Sequence, residues 1–558
     1  HKIIFSRFIK LFNENKSVVI GPDQLKPSYD GNTKIWSGGK KLALYDFECS
    51  IGQVLFNSLS NYGDNVLQVS DSEHVSMSNR QALMAATRIA QHFKKMGLQH
   101  EDVIGIVARN TTYVMPVGVA CLFNCTPFHG VSPDMDEKSM TKILAQTKPK
   151  VIFCDGQDYD KIRVSSQSFK PLIYTLFDHI EGVPKVQDLL EPTATERLYS
   201  PQRLTQGGSQ TMAILCSSGT TGLPKSVCVS NYALFLDIDG FTNEDVFYSS
   251  SAIDWITGVW CLAASCMFGV KRVITNRPYT PEYFVELVEK YKVSCAFVAP
   301  RHVASLIKCP AATSASMSSF RILGLGGGSI ALTTMQAMQS LVKNAIIIFA
   351  YASTEAGNVA RKMGAVAENS SVGQLVPGIR ARIVDEDDRN LGPGEVGEIY
   401  ANNGQLWNGY YGNPTESWKT QDEEGWFHTG DLGYFDDNQF LYIVDRKKEI
   451  LKYNGMQYWP REIEDCIAEM PEVEDVCVVG VYDESCGDAA GALVVRAKGS
   501  VPSKQDIKEY VAEKLIMPHK QLNAGVLFVD RLPINHNGKP VKKKAKELFV
   551  AAMLNVER

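Results

Sequence analysis

The segment Ser217-Ser218-Gly219-Thr220-Thr221-Gly222-Leu223-Pro224-Lys225 places four hydroxyls, two glycines and a terminal lysine within nine residues. Glycine lets the backbone turn tightly and approach a ligand, and exposed amides beside hydroxyls and an ammonium make a cradle for a polyphosphate. The pattern is not a Walker A loop, which needs Gly-Lys-Ser/Thr; here Pro224 precedes Lys225. Met212-Ala-Ile-Leu215 predicts a strand that feeds the loop. A Ser/Gly-rich surface turn would need none of this order, and nine specified positions after a strand argue against one.

The elements that must position this loop read as strand–helix units. Val103–Ala108 predicts a strand, Tyr113–Phe123 a buried helix, Met140–Ala145 a helix and Val151–Cys154 a second strand. Similar strands are expected at Cys295–Val298, Arg321–Leu323 and Ala345–Phe349. Alternation of this kind implies an α/β fold with largely parallel strands. The end of the chain differs. Helices at Glu462–Glu469 and Asp506–Leu515 with strands at Val476–Gly480, Gly491–Val495 and Val526–Val529 predict a compact α+β unit. The polar run Asp445-Arg446-Lys447-Lys448-Glu449 is the expected hinge, giving a large domain of α/β subdomains over residues 1–444 and a small mobile one over 445–558.

Composition sets the limits. A chain of 558 residues is long enough for roughly three or four folding units. A hydrophobic share of 44% and a charged share of 21% match an ordinary globular enzyme, and a net charge of −5 removes a globally basic, nucleic-acid-coating protein. The longest mostly apolar stretch, Ile256–Val270, falls short of the ~20 residues of a membrane-crossing helix. The 13 cysteines are odd in number and scattered, without a CxxC pair, and read as reduced thiols of an intracellular protein. Lys2–Phe12 sets Arg7 and Lys10 among apolar residues; it reads as a helix packed on its own domain or, alternatively, as an amphipathic targeting helix with a weak mitochondrial character.

Several further segments now fall into a recognisable order. Ser217–Lys225 resembles the phosphate-binding signature of the adenylate-forming superfamily of acyl-CoA synthetases, luciferases and peptide-synthetase adenylation domains. Gly326-Gly327-Gly328 resembles its adenine-side glycine turn, Tyr351-Ala352-Ser353-Thr354-Glu355 its Tyr-x-x-Thr-Glu motif, and Gly425–Asp431 its Trp-x-x-(Ser/Thr)-Gly-Asp motif. Asp445-Arg446 with Lys452-Tyr-Asn-Gly455 resembles the hinge and the loop that follows, and Leu532-Pro533 with Gly538-Lys539 the catalytic-lysine motif. Insect luciferase-like acyl-CoA synthetases are the branch it resembles most.

The resemblance implies ATP, Mg²⁺ and coenzyme A as reactants, with a carboxylic acid as the small-molecule partner. It implies that Ser217, Ser218, Gly219, Thr220, Thr221, Gly222 and Lys225 grip the β- and γ-phosphates. Gly327, Gly328, Tyr351 and Ala352 would border the adenine, and Asp431 with Arg446 the ribose. Glu355 would hold Mg²⁺ and Thr354 a phosphate oxygen. Lys539 would bridge the carboxylate and the α-phosphate, Asp445 would be the pivot, and the loop at Lys452 would serve thioester formation. The acyl pocket is expected near Trp255, Gly327 and Ala352; Trp255 reads equally as a wall or gate of that pocket or as core. Lys539 lies near Lys542, Lys543, Lys544 and Lys546, a run that alone would be a solvated basic face or a patch for coenzyme A phosphates.

The chain also departs from the pattern. Ser226 stands for the usual Gly, Asn231 for a His, Ile534 for a basic residue and Lys543 for an Arg; Asp254-Trp255 replaces a luciferase His, and Asp237 the Arg that luciferases place on luciferin. Oxygenation of beetle luciferin is therefore disfavoured. The chain ends Asn555-Val-Glu-Arg558 and not Ser-Lys-Leu, so a cytoplasmic place is expected as readily as a peroxisomal one. The expected activity is an ATP-dependent, AMP-forming ligation of a medium- or long-chain fatty acid to coenzyme A, an enzyme of lipid metabolism. An aromatic, cinnamate-like acid is the first alternative, and a non-catalytic nucleotide- or acyl-binding relative the second.

Overall fold

The computed structural model describes residues 26–41, 45–217, 224–235, 241–364, 368–534 and 539–556. Lys2–Phe12, Ser218 to Gly222 of the phosphate-binding signature, and Asp237 lie outside the described residues.

Two α/β layers make most of the large domain. In the first, six strands lie in the order Lys225–Ser230, Thr211–Ser217, Phe128–Gly130, Ile104–Val107, Val151–Cys154, Leu172–Thr175, and only the first pair is antiparallel. Ile104–Val107 and Val151–Cys154 are buried at every position, as strands covered by helices on both faces must be. The helix Val114–Asn124 is buried throughout, whereas Glu137–Thr147 buries one face. The second layer has nine strands. Its parallel centre runs Ile346–Ser353, Ile322–Gly326, Cys295–Val298, Val246–Ser249, Lys271–Ile274, Val66–Ser70, with antiparallel strands at both edges. The C-terminal ends of parallel strands share one edge, and crevices for ligands form there.

A third sheet was not expected from the sequence. It is antiparallel and orders Ser28–Asp30, Ile35–Ser37, Arg380–Val384, Gly397–Asn402, Phe427–Phe435 and Leu441–Arg446. Bulges between Glu398 and Tyr400 and between Leu432 and Gly433 break the period-2 pattern that would have announced it. Trp36 and Phe435, buried and stacked at 4.5 Å, join its two ends in sequence.

The small domain follows the expected α+β pattern. Helix Pro460–Ala468 packs on the long hairpin Val473–Asp483/Gly487–Arg496, and Gly525–Phe528 adds a parallel strand. Helix Lys504–Lys514 opens on a capping box between Ser503 and Asp506, and helix Lys542–Val556 buries Phe549. Lys308 Nζ of the large domain donates to Val473 O at 2.9 Å, tying the two domains. All 13 cysteines are free thiols. Among the described residues no helix is long and apolar enough to cross a membrane; the apolar stretch noted above is the core helix Ile256–Phe268.

Glycine fixes where that helix starts. A Cβ on Gly258 would lie 1.8 Å from Ala252 O, and one on Gly130 would lie 2.5 Å from Ile253 O, so the segment before Trp255 is gripped by backbone from both sides. Gly258→Ala is expected to destabilise the protein by about 2 kcal/mol, as overpacking a tight site does. Urea unfolding measures it, and an unchanged midpoint would contradict this account of the packing.

Candidate active site

Asp431 and Arg446 face each other across the last two strands of the antiparallel sheet. Side chains opposite each other on neighbouring strands project from one face, so the pair forms by register alone. Arg446 Nε lies 2.8 Å from Asp431 Oδ1, and the Tyr351 hydroxyl donates to Asp431 Oδ2 at 2.7 Å. Tyr351 comes from the nine-stranded layer, and its phenol is pushed well above its usual pKa by burial and then by Asp431. Asp431 is 8% exposed and is spoken for on both oxygens. The carboxylate is thus oriented from two directions. The ring of Tyr351 thus serves as a strut between layers besides the adenine face expected of it.

Lys539 arrives from the small domain. Burial lowers its pKa and Arg446 lowers it further, against the attraction of Asp431, Glu355 and Glu449. The residue keeps some surface in solvent, while its ammonium is crowded by the cleft and close enough to all four groups to feel their charge. Lys542 Nζ, one turn on, reaches Glu449 at 2.6 Å and Glu464 at 3.5 Å and fastens this segment to the hinge.

At the expected phosphate end, Lys225 pairs with Ser217 on the neighbouring antiparallel strand. Lys225 Nζ lies 2.9 Å from Glu416 Oε2 and 4.6 Å from the centre of the Tyr410 ring, and Tyr410 OH donates to Glu355 Oε1 at 2.9 Å. Hydrogen bonds from Lys419 and Lys225 hold the Glu416 carboxyl at a pKa of about 2. The sequence reading missed Tyr410 and Glu416, which belong to no motif it used; an aromatic ahead of Gly412-Asn413-Pro414 is a weak signal. Thr354 and Glu355 occupy the turn after strand Ile346–Ser353. No group of three or more His, Cys, Asp and Glu among the described residues could hold a metal alone. Glu355 is a hard oxygen donor suited to Mg²⁺ that arrives on ATP with its own phosphate and water ligands.

Trp255 and Gly327 follow C-terminal ends of parallel strands in the nine-stranded layer, and Ala352 lies near the C-terminal end of strand Ile346–Ser353. Gly327 has φ +87°, and a Cβ there would meet nothing within 4 Å, so open space adjoins it. Ala352 is exposed just after a bulge, and half-buried Trp255 caps the helix Ile256–Phe268. The departures have structural occupations. Ser226 Oγ donates to Gln146 Oε1 at 3.1 Å, and buried Asn231 accepts from Ile51 N at 2.9 Å and donates to Cys49 O at 2.8 Å.

The expected hinge adjoins this cluster through Arg446 and Glu449, and the Lys452–Gly455 segment follows it. Buried Asp445 accepts from the backbone amides of Arg446 at 2.7 Å and Arg461 at 3.2 Å, and the chain leaves the sheet through the turn Lys447–Glu449. Asn454 and Gly455, at φ +50° and +78°, form a two-residue turn between Leu451–Tyr453 and Met456–Tyr458. Lys452 is exposed on that hairpin, with its amide held by Asp488 Oδ2 at 3.3 Å.

Comparison with known proteins identifies the family. The AMP-binding enzyme family matches residues 55–411 and the AMP-binding enzyme C-terminal domain matches 462–539, so the chain belongs to the AMP-binding enzymes. It is 27% identical to 4-coumarate–CoA ligase 1 of Arabidopsis thaliana over 556 residues, 96% of either chain. It is 27% identical to 4-coumarate–CoA ligase 3 of Oryza sativa over 527 residues, 91% of this chain and 94% of that one. ATP-bound MatB from Rhodopseudomonas palustris shares the fold at a TM-score of 0.77 and 20% identity, over 89% of this chain and 99% of its own. The luciferase-like enzyme of the nonluminescent mealworm Zophobas morio does so at 0.67 and 24%, over 73% and 98%.

Beside Trp255, Asp254 is 9% exposed, and burial, with Asp134 adding repulsion, pushes its pKa up to about 7. An acid whose folded pKa exceeds its unfolded value of 3.8 loses stability as pH rises from about 4 to about 7. Asp254→Asn is therefore expected to gain on the wild type across that window, by up to about 1.4 kcal/mol per pH unit. Urea unfolding at pH 4.5, 6 and 8 reads this, and a difference independent of pH would refute it.

Proposed function

We propose that the protein is an ATP-dependent acid–CoA ligase that forms an acyl-adenylate and then a thioester, releasing pyrophosphate and AMP. The observation that carries the reading is the convergence of Lys539 with Arg446, Asp431 and Glu355, beside a phosphate hairpin ended by Lys225. Between the two acid classes left open by the sequence, the relatives named as 4-coumarate–CoA ligases favour an aromatic, cinnamate-like acid over the fatty acid first expected.

The chemistry follows from charge. A carboxylic acid is already ionised at neutral pH and needs no general base. The barrier is repulsion between its carboxylate and the α-phosphate, so the site must supply positive charge at fixed positions. Lys225 meets the outer phosphates, while Glu355 adds one carboxylate oxygen to the Mg²⁺ of the substrate MgATP. Lys539 spans the two anions as the carboxylate oxygen bonds to the α-phosphorus and the bond to pyrophosphate breaks. The lid then swings at Asp445 and the turn after it, withdrawing Lys539 and presenting the Lys452–Gly455 hairpin. The thiolate of coenzyme A attacks the acyl carbonyl, and AMP leaves with the electron pair of the broken C–O bond. Gating by rotation lets two chemistries use one cleft.

Pyrophosphate release that requires both ATP and an acid tests the reading, in a screen of cinnamate-type and fatty acids with coenzyme A. Failure to release pyrophosphate with any acid of the panel would instead favour a non-catalytic binder. Lys539→Ala is expected to lower adenylation by at least about 10²-fold while sparing thioester formation from supplied acyl-adenylate. Equal loss of both half-reactions would sink that division of labour.

A further inference from the structure

The small domain is also held at a place that belongs to neither the nucleotide cleft nor the hinge. Strand Cys295–Val298 leads into the helix Pro300–Leu306, and Lys308 lies just past the end of that helix. Its Nζ donates to Val473 O of the small domain at 2.9 Å. Val473 opens the long strand Val473–Asp483, and a bulge between Val473 and Asp475 interrupts the ladder with Gly487–Arg496 there. A bulge bends its strand and disturbs the pairing of the backbone groups around it. At this interruption the Val473 carbonyl accepts from the other domain.

Lys308 does not act alone. The carboxylate of Asp475 feels the attraction of both Arg301 and Lys308, and Arg301 feels Asp475 in return. Arg301 and Lys308 stand at opposite ends of the helix, so two cations of the large domain face one carboxylate and one carbonyl of the small one. The start of the same helix adjoins the expected adenine side of the cleft. A Cβ on Gly328 would lie 3.7 Å from Pro300 Cγ.

The strand gripped by Lys308 is the one on which the Lys539 segment is seated. Ala545 and Phe549, on the helix that follows Lys539, share a buried apolar cluster with Cys477 and Val479 of strand Val473–Asp483. Close-packed interiors move as units, so fixing the start of this strand fixes the position from which Lys539 enters the cleft. We propose that Lys308 is a positioning residue: with Arg301 it latches Val473 and Asp475, holding the small domain in the orientation that brings Lys539 to Arg446, Asp431 and Glu355. This rests on the ligase reading and adds to it a contact, outside the hinge and the substrates, that sets how readily the lid leaves. Lys308 is partly exposed, and an ion contact of that kind is weak enough to break when the domain must rotate.

Limited trypsin digestion of the full-length protein reads the latch without any substrate. The hinge residues Lys447 and Lys448 are exposed, and cleavage there tracks the population in which the small domain is released. Lys308→Met is expected to speed the hinge cut by about three- to tenfold, the weight of a charged hydrogen bond discounted for solvent, with cuts elsewhere unchanged. Lys308→Arg should restore the wild-type rate. Asp475→Lys, on the small domain, should speed the hinge cut as well by repelling Arg301 and Lys308, and it serves if Lys308→Met does not fold. In turnover, Lys308→Met should slow pyrophosphate release by a like factor and leave thioester formation from supplied acyl-adenylate undiminished. If wild type releases no pyrophosphate with any acid while the variants still speed the hinge cut, the ligase reading fails and the latch stands. A hinge cut unchanged in both Lys308→Met and Asp475→Lys would overturn the latch. So would a Lys308→Met variant that slows both half-reactions by one common factor.

Discussion

The Asp431–Arg446 pair is the interaction on which the cleft depends. It is formed by strand register, but it joins more than two strands. Asp431 also takes the Tyr351 hydroxyl from the nine-stranded layer, and Arg446 is the last residue of the antiparallel sheet before the chain crosses to the small domain. One carboxylate therefore fixes the distance between two layers and the point from which the lid departs. Removing Arg446 would leave a buried carboxylate without its counter-ion, a larger cost than the pair's own net attraction. Asp445, next to Arg446, is buried for a related reason. Its carboxylate accepts from the amide of Arg446 at the crossing and from that of Arg461 in the first helix of the small domain, so it is bonded to both sides of the crossing.

Charge in the cleft is arranged locally, which is why a net charge of −5 says nothing about it. Lys225 and Glu355 lie 130 residues apart in sequence yet touch the same tyrosine, one over its ring and the other at its hydroxyl. Such a bridge holds an ammonium and a carboxylate near one another without letting them neutralise each other directly. Glu416 takes the direct pairing with Lys225 instead. On the proposed reaction, incoming phosphates compete with Glu416 for Lys225, so the lysine is held in place before ATP arrives.

Much of this was legible in the sequence, and the limits are instructive. The buried parallel strands announced themselves because both faces are covered and the apolar runs are unbroken, as at Ile104–Val107 and Val151–Cys154. The strand that leads into the Ser217–Lys225 segment and the α+β unit at the end of the chain were legible from their apolar runs and helical periodicity. The antiparallel sheet was not: its strands come from residues 28–37 and 380–446, and bulges at Glu398 and Leu432 reset the alternation. Tyr410 and Glu416 act only through long-range proximity, which no local pattern encodes. Ser226 and Asn231, read as departures from the pattern, turn out to be occupied in packing between segments.

The placement of Lys539 bears on how a lid can be closed at one stage and open at the next. Asp431, Glu355 and Glu449 draw its ammonium in, whereas Arg446 and burial oppose it, and the opposition lowers its pKa. A charge held in such a balance is sensitive to small changes in its surroundings. On the proposed reaction, ATP brings several negative charges into the cleft, and they tip the balance toward keeping Lys539 inside. Departure of pyrophosphate removes most of them while Arg446 stays. The closed lid then holds two like charges near a nearly neutral acyl-adenylate carbonyl, and the attraction that favoured closure is weakened when rotation is needed. Lys542, paired with Glu449 and Glu464, keeps the segment attached to the hinge rather than to the nucleotide, so the lysine can move with the small domain as a unit. The chemistry of the first step thus changes the electrostatics that hold the lid for the second.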